Sequence, residues 1–234
     1  MTDDRAVSRG VLADQVKERL LEGILSGRYP PHSRIVETRV ARELGTSQAP
    51  VREALRGLEA LGVVEISPFR GARVRRPSAD ELLEAYTVRS ELEALGARLA
   101  LPRMTDTDLE DLISFGEEMQ RAARRHDPHG VAVADAAFHG RLVTIAANGA
   151  LARVWRALEP FSRTYLTLVV PGADARWAAN LHLPILAALR ERDAEAVVRA
   201  LDRHFADIAA RLREEWQDEA PPAPGRRAGS PPLG

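Results

Sequence analysis

Residues 47–62 read SQAPVREALRGLEALG, and residues 63–74 continue as VVEISPFRGARV. Ser47 is a favourable N-cap, and apolar residues follow it at the three- and four-residue spacing of an amphipathic helix. Pro50 falls in the first turn, where a missing N–H costs little, and Gly62 is a typical helix end. Short apolar runs then flank the turn-forming SPFRG, so the sequence predicts a helix followed by a two-stranded hairpin.

Two further helices are predicted before this segment. Residues 11–26 carry apolar side chains at helical spacing, and Pro30-Pro31 prevents their continuation. A short helix is expected over 37–44, and Gly45 permits a sharp turn after it. Three helices and a hairpin are typical of a winged helix-turn-helix, which inserts one helix into the major groove of DNA. A three-helix bundle with solvated arginines fits the same pattern equally well.

In a winged helix, the candidate DNA contacts lie at the start of the third helix and at the hairpin tip. Gln48 and Arg52 are one turn apart, and these side chains can bind adenine and guanine or phosphate, respectively. Arg70, beside Gly71, can enter the minor groove or contact phosphate. Residues 1–77 hold 14 Lys and Arg against 10 Asp and Glu, although the whole chain has a net charge of −1. This modest asymmetry agrees with a nucleic-acid partner for the N-terminal part.

The composition excludes several classes of protein. The chain has no cysteine, which excludes disulfides, thiolate metal sites and cysteine catalysis. No apolar run approaches the ~20 residues of a membrane helix, and the N-terminus is too polar for a secretory signal. We therefore expect a cytoplasmic protein without a membrane partner.

The whole chain is predicted to be mainly α-helical. Strand signals vanish beyond the hairpin, and six or so helices are expected, which predicts an all-α bundle. The tail is rich in Pro and Gly and is predicted to be disordered. The predicted organisation is a flexible N-terminus over 1–10, a winged helix-turn-helix over 11–77, an all-helical domain over 78–217 and a disordered tail over 218–234.

Three histidines and one aspartate in the helical region form a candidate metal site. Asp135 and His139 share one helical face at i, i+4 spacing. Asp193 is expected to cap the second of two helices, and His182 and His204 lie equally far on either side of it. An antiparallel hairpin would bring both imidazoles to the same height. One carboxylate and three imidazoles suit Zn²⁺, Ni²⁺, Mn²⁺ or Fe²⁺, although each residue alone fits an ordinary solvated or core position.

The N-terminal segment resembles a known DNA-binding domain. Residues 27–74, GRYPPHSRIVETRVARELGTSQAPVREALRGLEALGVVEISPFRGARV, are similar to the DNA-binding domain of the GntR family of bacterial transcription regulators. Many family members have arginine at the positions of Thr38 and Gln48, and we expect Arg39 to substitute for the first. The resemblance implies DNA contacts from Arg39, Ser47, Gln48, Arg52, Arg70 and Gly71.

The helical region resembles the FCD effector domain of the FadR-type subfamily. The similarity lies in EAYTVRSELEALGARLA (84–100), in DAAFHGRLVTIAANGAL (135–151) and in the two later histidines. It implies that a divalent metal is held by Asp135, His139, His182 and His204. It also implies that Arg89 grips the carboxylate of a small-molecule effector and that Asn148 lies near the effector cavity.

Local chemistry offers alternatives for some of these residues. Arg89 can form an i, i+4 salt bridge with Glu93. Asn148 can act as a helix C-cap beside a glycine. Pro184 places His182 in the first turn of a helix, for which Asn180 is the expected cap.

The sequence predicts a non-enzymatic transcription regulator that responds to a small organic acid. A homodimer would bind an inverted repeat, because the two-fold symmetry of the protein imposes the same symmetry on the operator. One alternative is a regulator for which the metal itself is the signal. Another is a metalloenzyme with a DNA-binding appendage, although the sequence offers no convincing general base or nucleophile.

Overall fold

The computed structural model describes residues 4–25, 28–30, 32–67, 71–75, 78–158, 164 and 174–215. The predicted DNA contact Arg70 and the predicted tail over 218–234 lie outside this part. Within it, no helix combines the length and hydrophobicity that a bilayer span requires.

The N-terminal part contains three helices and a small antiparallel sheet. The elements are α1 (Asp4–Leu25), β1 (Arg34–Ile35), α2 (Glu37–Glu43), α3 (Gln48–Ala60), β2 (Val64–Ser67) and β3 (Gly71–Val74). The strand order is β1-β3-β2, so the predicted hairpin is present and gains a third strand at its edge. Helix α1 begins at Asp4, within the segment predicted to be flexible. The prediction started this helix at residue 11 because its first turns are polar and carry no apolar periodicity.

Helix α3 packs against α1, α2 and β2. Its apolar stripe of Val51, Leu55 and Leu58 is fully buried, as are Leu20 and Leu21 of α1. Burying aliphatic side chains of this size contributes about 1.5–3 kcal/mol each. On the other side of α3, Gln48 and Arg52 are exposed to solvent.

The ends of α3 follow the prediction in position. Ser47 is the N-cap residue, although its hydroxyl accepts no capping hydrogen bond. Gly62 follows the C-cap residue with φ +70°, a left-handed conformation that glycine adopts without the steric cost of a Cβ atom. The chain is thereby turned directly into the wing.

The C-terminal part is all helical where it is described. It contains α4 (Ala79–Ala100), a 3-10 turn (Leu101–Arg103), α5 (Asp106–Arg124), α6 (Pro128–Ile145), α7 (Gly149–Ala157), α8 (Ala175–Asn180), α9 (Leu183–Arg190) and α10 (Ala194–Glu215). Helix α6 packs between α4 and α5, α10 packs along α4, and α9 packs against α10. The inner faces of α4, α6 and α10 surround the candidate site.

Three predicted caps have different outcomes. Asp193 caps α10 as predicted, since its Oδ1 accepts from Ala196 N at 3.0 Å. Asn148 is an N-cap and not a C-cap: α6 has already ended, and the Asn148 Oδ1 accepts from two amides of α7. The prediction that Asn180 caps α9 is wrong. His182 occupies the N-cap position, and the Asn180 Oδ1 accepts instead from Gln120 Nε2 at 3.1 Å.

Ser78 forms the capping box that starts α4. Its Oγ accepts from Glu81 N at 3.1 Å, and Glu81 Oε2 accepts from Ser78 N at 2.7 Å. We expect Ser78→Ala to lower the free energy of unfolding by about 1 kcal/mol, because the cap satisfies otherwise unpaired helix amides. Ser47→Ala is the matched control, since that N-cap makes no such bond, and it should cost a few tenths of a kcal/mol. Urea denaturation measures both, and equal losses would contradict the assignment.

Candidate metal centre and DNA-binding surface

The four predicted metal ligands meet in the core of the helical domain. Asp135 and His139 come from α6, His182 directly precedes α9, and His204 comes from α10. Each is buried and offers one ligand atom, and these atoms all lie within 4.8 Å of one another. Four side chains from three separate chain segments thus converge on one point.

The interatomic distances within the cluster are short. The His139 Nε2 atom lies 3.1 Å from His182 Nε2, and His182 Nε2 lies 3.2 Å from Asp135 Oδ1. The rings of His182 and His204 meet edge-to-face, with centroids 4.6 Å apart and an interplanar angle of 66°. The meeting of these two imidazoles, predicted from their equal spacing about Asp193, is confirmed.

His204 provides the test of whether a cation fits. Both ring nitrogens of His204 are buried and have no hydrogen-bond partner among the described residues. Buried polar atoms are satisfied in the great majority of cases, so an imidazole of this kind calls for a partner. A divalent ion among the four ligand atoms would supply that partner, and the Asp/His₃ donor set suits Zn²⁺, Ni²⁺, Mn²⁺ or Fe²⁺.

A second set of contacts orients the ligands. The His139 Nδ1 atom is hydrogen-bonded to Glu93 Oε2, and His182 Nδ1 lies 3.2 Å from the carbonyl oxygen of Ala178. Engagement of Nδ1 leaves Nε2 of each ring directed at the cluster, which is a common arrangement around metal ligands. Trp155 Nε1 in turn donates to Glu93 Oε1 at 2.8 Å and fixes that carboxylate.

Arg89 connects the two carboxylates of the site. Its Nε donates to Glu93 Oε1 at 2.6 Å, which confirms the predicted i, i+4 pair. Its Nη1 and Nη2 donate to Thr164 Oγ1 at 3.2 Å and to Asp135 Oδ2 at 3.4 Å. The Thr164 hydroxyl donates to the same Asp135 oxygen at 3.0 Å. The predicted effector contact and the predicted metal ligands therefore belong to one network.

Both carboxylates remain ionised despite their burial. Desolvation alone would raise the pKa of Glu93, but the contacts with His139 and Arg89 lower that pKa to about 2. Desolvation likewise opposes ionisation of Asp135, but His139 and His182 hold its pKa well below the usual value. The site thus has two permanent negative charges at neutral pH.

Burial favours the neutral form of His139 and His204, whereas Arg89 is charged. Burial lowers the pKa of His139, and burial together with the neighbouring His182 lowers the pKa of His204 well below its usual value. A neutral imidazole is the form that binds a metal. Burial also opposes the charge of Arg89, but Glu93 and Asp135 raise its pKa above the usual value.

Buried polar side chains are concentrated in this network; among the described residues, only the buried Tyr86 and Trp155 are counted apart from its members. Seven such side chains are buried: Arg89, Glu93, Asp135, His139, Thr164, His182 and His204. Sequence reasoning missed Thr164 and the contact from Trp155, because both come from distant segments with no local spacing signal. Asn148, predicted to lie near the effector, caps α7 through its side chain.

The predicted DNA contacts of α2 and α3 are exposed to solvent. Ser47, Gln48 and Arg52 are exposed at the start of α3, and Arg39 is exposed on α2. Arg39 Nε donates to Glu43 Oε1 at 2.8 Å, and Arg52 is paired with Glu37. The two predicted arginines therefore each have a carboxylate partner on α2.

The wing places a further arginine beside the predicted contact Gly71. Gly71 has φ +78°, and a Cβ atom there would lie 3.3 Å from Arg34 Nε. Arg34 of β1 pairs in register with Arg73 of β3, and both side chains are exposed. Sequence reasoning missed Arg34 because a strand of two residues has no alternating pattern to detect.

Two family models together cover most of the chain. The model of bacterial regulatory proteins of the gntR family matches residues 12–74, and the FCD domain model matches residues 84–207. The chain belongs to the GntR family. It is a DNA-binding transcription regulator with an FCD effector domain. FCD domains bind metals, and the cluster at Asp135 is suited to do so.

Individual GntR relatives agree with this assignment. The chain is 37% identical to the probable D-xylose utilization operon transcriptional repressor of Paenarthrobacter nicotinovorans, over 86% of this chain and 89% of that protein. It is 27% identical to the HTH-type transcriptional regulator McbR of Escherichia coli K12, over 86% of this chain and 93% of McbR. Both relatives are named as transcriptional regulators.

Solved GntR structures show the same fold. The E. coli McbR/YncC structure has a TM-score of 0.69 at 24% identity, covering 87% of this chain and 97% of that chain. A transcriptional regulator GntR from Rhodococcus sp. RHA1 also has a TM-score of 0.69 at 24% identity, covering 88% and 99%. The winged helix-turn-helix and the all-helical effector domain are thus confirmed as the fold class.

Proposed function

We propose that a small carboxylate binds at Arg89 beside a divalent metal and thereby controls the binding of a homodimer to its operator. The metal would be held by Asp135, His139, His182 and His204. The observation that carries the proposal is the charge balance of the buried network.

The buried charges balance when both a metal and an anion are bound. Arg89 is positive, and Glu93 and Asp135 are negative. With the imidazoles in the neutral form that binds a metal, the described network has a net charge of −1. A divalent cation changes this to +1. Uncompensated buried charge is costly, so a single carboxylate then brings the network to neutrality.

Arg89 has the chemistry to receive that carboxylate. A guanidinium presents parallel N–H groups that match a carboxylate, and such charge-assisted bonds are stronger in a buried site. The Nη2 bond of Arg89 to Asp135 is long, at 3.4 Å, and the Nη1 bond goes to an uncharged hydroxyl. Both Nη groups can therefore exchange their present partners for an acid, while Nε keeps its 2.6 Å bond to Glu93.

Asn148 is proposed as a second effector contact. Its Oδ1 is engaged by the amides of Ala150 and Leu151, both at 3.1 Å. The Nδ2 group of Asn148 takes no part in the cap. It can therefore donate a hydrogen bond to an acid while Oδ1 keeps its two bonds to α7.

Control of operator binding requires two dimer states with different affinities for the acid. By linkage, the factor by which the acid changes DNA affinity equals the factor by which DNA changes acid affinity. A homodimer on an inverted repeat supplies two equivalent helices for successive major grooves.

The test combines thermal unfolding with operator binding on zinc-loaded protein. A panel of small mono- and dicarboxylic acids should include at least one that raises the midpoint and changes the affinity for an operator selected from random DNA. The variant Arg89→Lys keeps the positive charge but lacks the planar fork, so it should lose the response to that acid. If no acid changes either quantity, the carboxylate proposal is wrong. If chelation alone changes operator affinity, the metal is itself the signal.

A further inference from the structure

Glu37 links the two helices of the helix-turn-helix, because its side chain contacts the predicted DNA-binding residue Arg52. It is the first residue of α2, and both Nε and Nη2 of Arg52 donate to its Oε2, at 3.2 and 3.0 Å. The contact joins residues of different helices, whereas Arg56 pairs with Glu53 within α3. Both side chains remain accessible, at 52% exposure for Arg52 and 32% for Glu37.

The position of the glutamate leaves a specific edge of the guanidinium free. Arginine has five N–H donors in a planar fork. Glu37 accepts from Nε and from Nη2, so the outer edge formed by Nη1 and the second Nη2 hydrogen stays available. That outer edge is the one that can donate two parallel hydrogen bonds to guanine O6 and N7.

The charge of Glu37 acts against sequence-independent binding. Non-specific affinity for DNA comes from neutralising phosphates with cations. A carboxylate next to Arg52 offsets its charge and repels phosphates. A base edge, in contrast, gains from an arginine that is already held in one orientation, because less side-chain entropy is lost on binding.

We propose that Glu37 is a specificity-determining residue that positions Arg52 for base recognition. It touches no base itself and acts through the guanidinium. It therefore increases discrimination in two ways, since it favours the operator complex and weakens the non-specific complex. Nothing comparable is expected of Glu53, whose partner Arg56 is not among the predicted DNA contacts.

The test compares Glu37→Gln with Glu53→Gln in the full-length protein. Two duplexes are used at one salt concentration: an operator selected from random-sequence DNA by the parent protein, and a scrambled duplex of the same composition. Both substitutions remove one negative charge near the DNA, so both should increase affinity for the scrambled duplex. Glu37→Gln should also lower operator affinity, so that the operator-to-scrambled ratio falls about tenfold, the scale of one bidentate base contact. Glu53→Gln should leave the ratio unchanged.

A double-substitution cycle separates positioning from a merely structural effect. In an Arg52→Gln background, Glu37→Gln should no longer change the ratio, because its effect passes through Arg52. An unchanged ratio in the single variant would overturn the proposal. An effect that persists without Arg52 would also overturn it and would indicate that Glu37 reads a base directly. Thermal midpoints equal to that of the parent show that the fold is retained, and Glu37→Ala provides a second variant for the same measurements.

Discussion

Replacing His204 by alanine is expected to reduce the zinc affinity of the effector domain by more than about a hundredfold. Loss of an outer contact to a metal ligand typically costs 10- to 100-fold, and loss of a ligand itself should cost more. The two buried nitrogens of His204 lack partners in the described protein, so no hydrogen bond competes with a metal for them. A zinc titration against a chromogenic chelator measures the change.

Thermal unfolding provides a second measure of the same change. At a zinc concentration of 100 times the Kd, a bound metal stabilises the folded state by about 2.7 kcal/mol, and His204→Ala should lose that gain. His129→Ala is the control, because His129 lies near the start of the same helix as His139 but has a side-chain exposure of 36%. Retention of stoichiometric, equally tight zinc by the His204 variant would refute the ligand assignment.

Replacing Arg89 by alanine is expected to lower the free energy of unfolding by about 3–5 kcal/mol, because it leaves buried carboxylates without their partner. Glu93 loses a 2.6 Å charged bond in a fully buried position, and Asp135 loses a weaker one. Arg98→Ala on the same helix is the control. Its pair with Glu195 is exposed and should contribute no more than about 1 kcal/mol.

The loss at Arg89 should depend on the metal. Counted with neutral imidazoles, the substitution changes the net charge of the described network from −1 to −2 without metal and from +1 to 0 with a divalent metal. Denaturation in the presence of a chelator should therefore reveal a larger loss than denaturation with zinc. Equal losses under both conditions would show that the metal and Arg89 do not share one electrostatic site.

Much of the site was predictable because its signals are local or symmetric. The i, i+4 spacing brings Asp135 next to His139, and the turn at Asp193 brings His182 to His204. Thr164 could not be found in this way, because its contact with Arg89 depends on tertiary packing across 75 residues.

The fold was predictable to a similar degree. The apolar stripe and the terminal glycine predicted helix α3, and the turn-forming segment predicted the hairpin. Strand β1 escaped detection because its two residues gain their conformation from pairing with β3. The predicted cap at Asn180 was wrong because its amide group found a tertiary partner in Gln120.

Seven buried polar side chains of the described chain belong to one network. This arrangement constrains how the protein can change over evolutionary time. Substitution of Arg89, Glu93 or Asp135 alone leaves at least one buried charge without its partner. An intermediate that has lost only one of these charged residues would therefore be less stable than a chain that has kept or replaced them all. We expect descendants of this chain to keep the seven residues as a set or to replace them together with apolar residues.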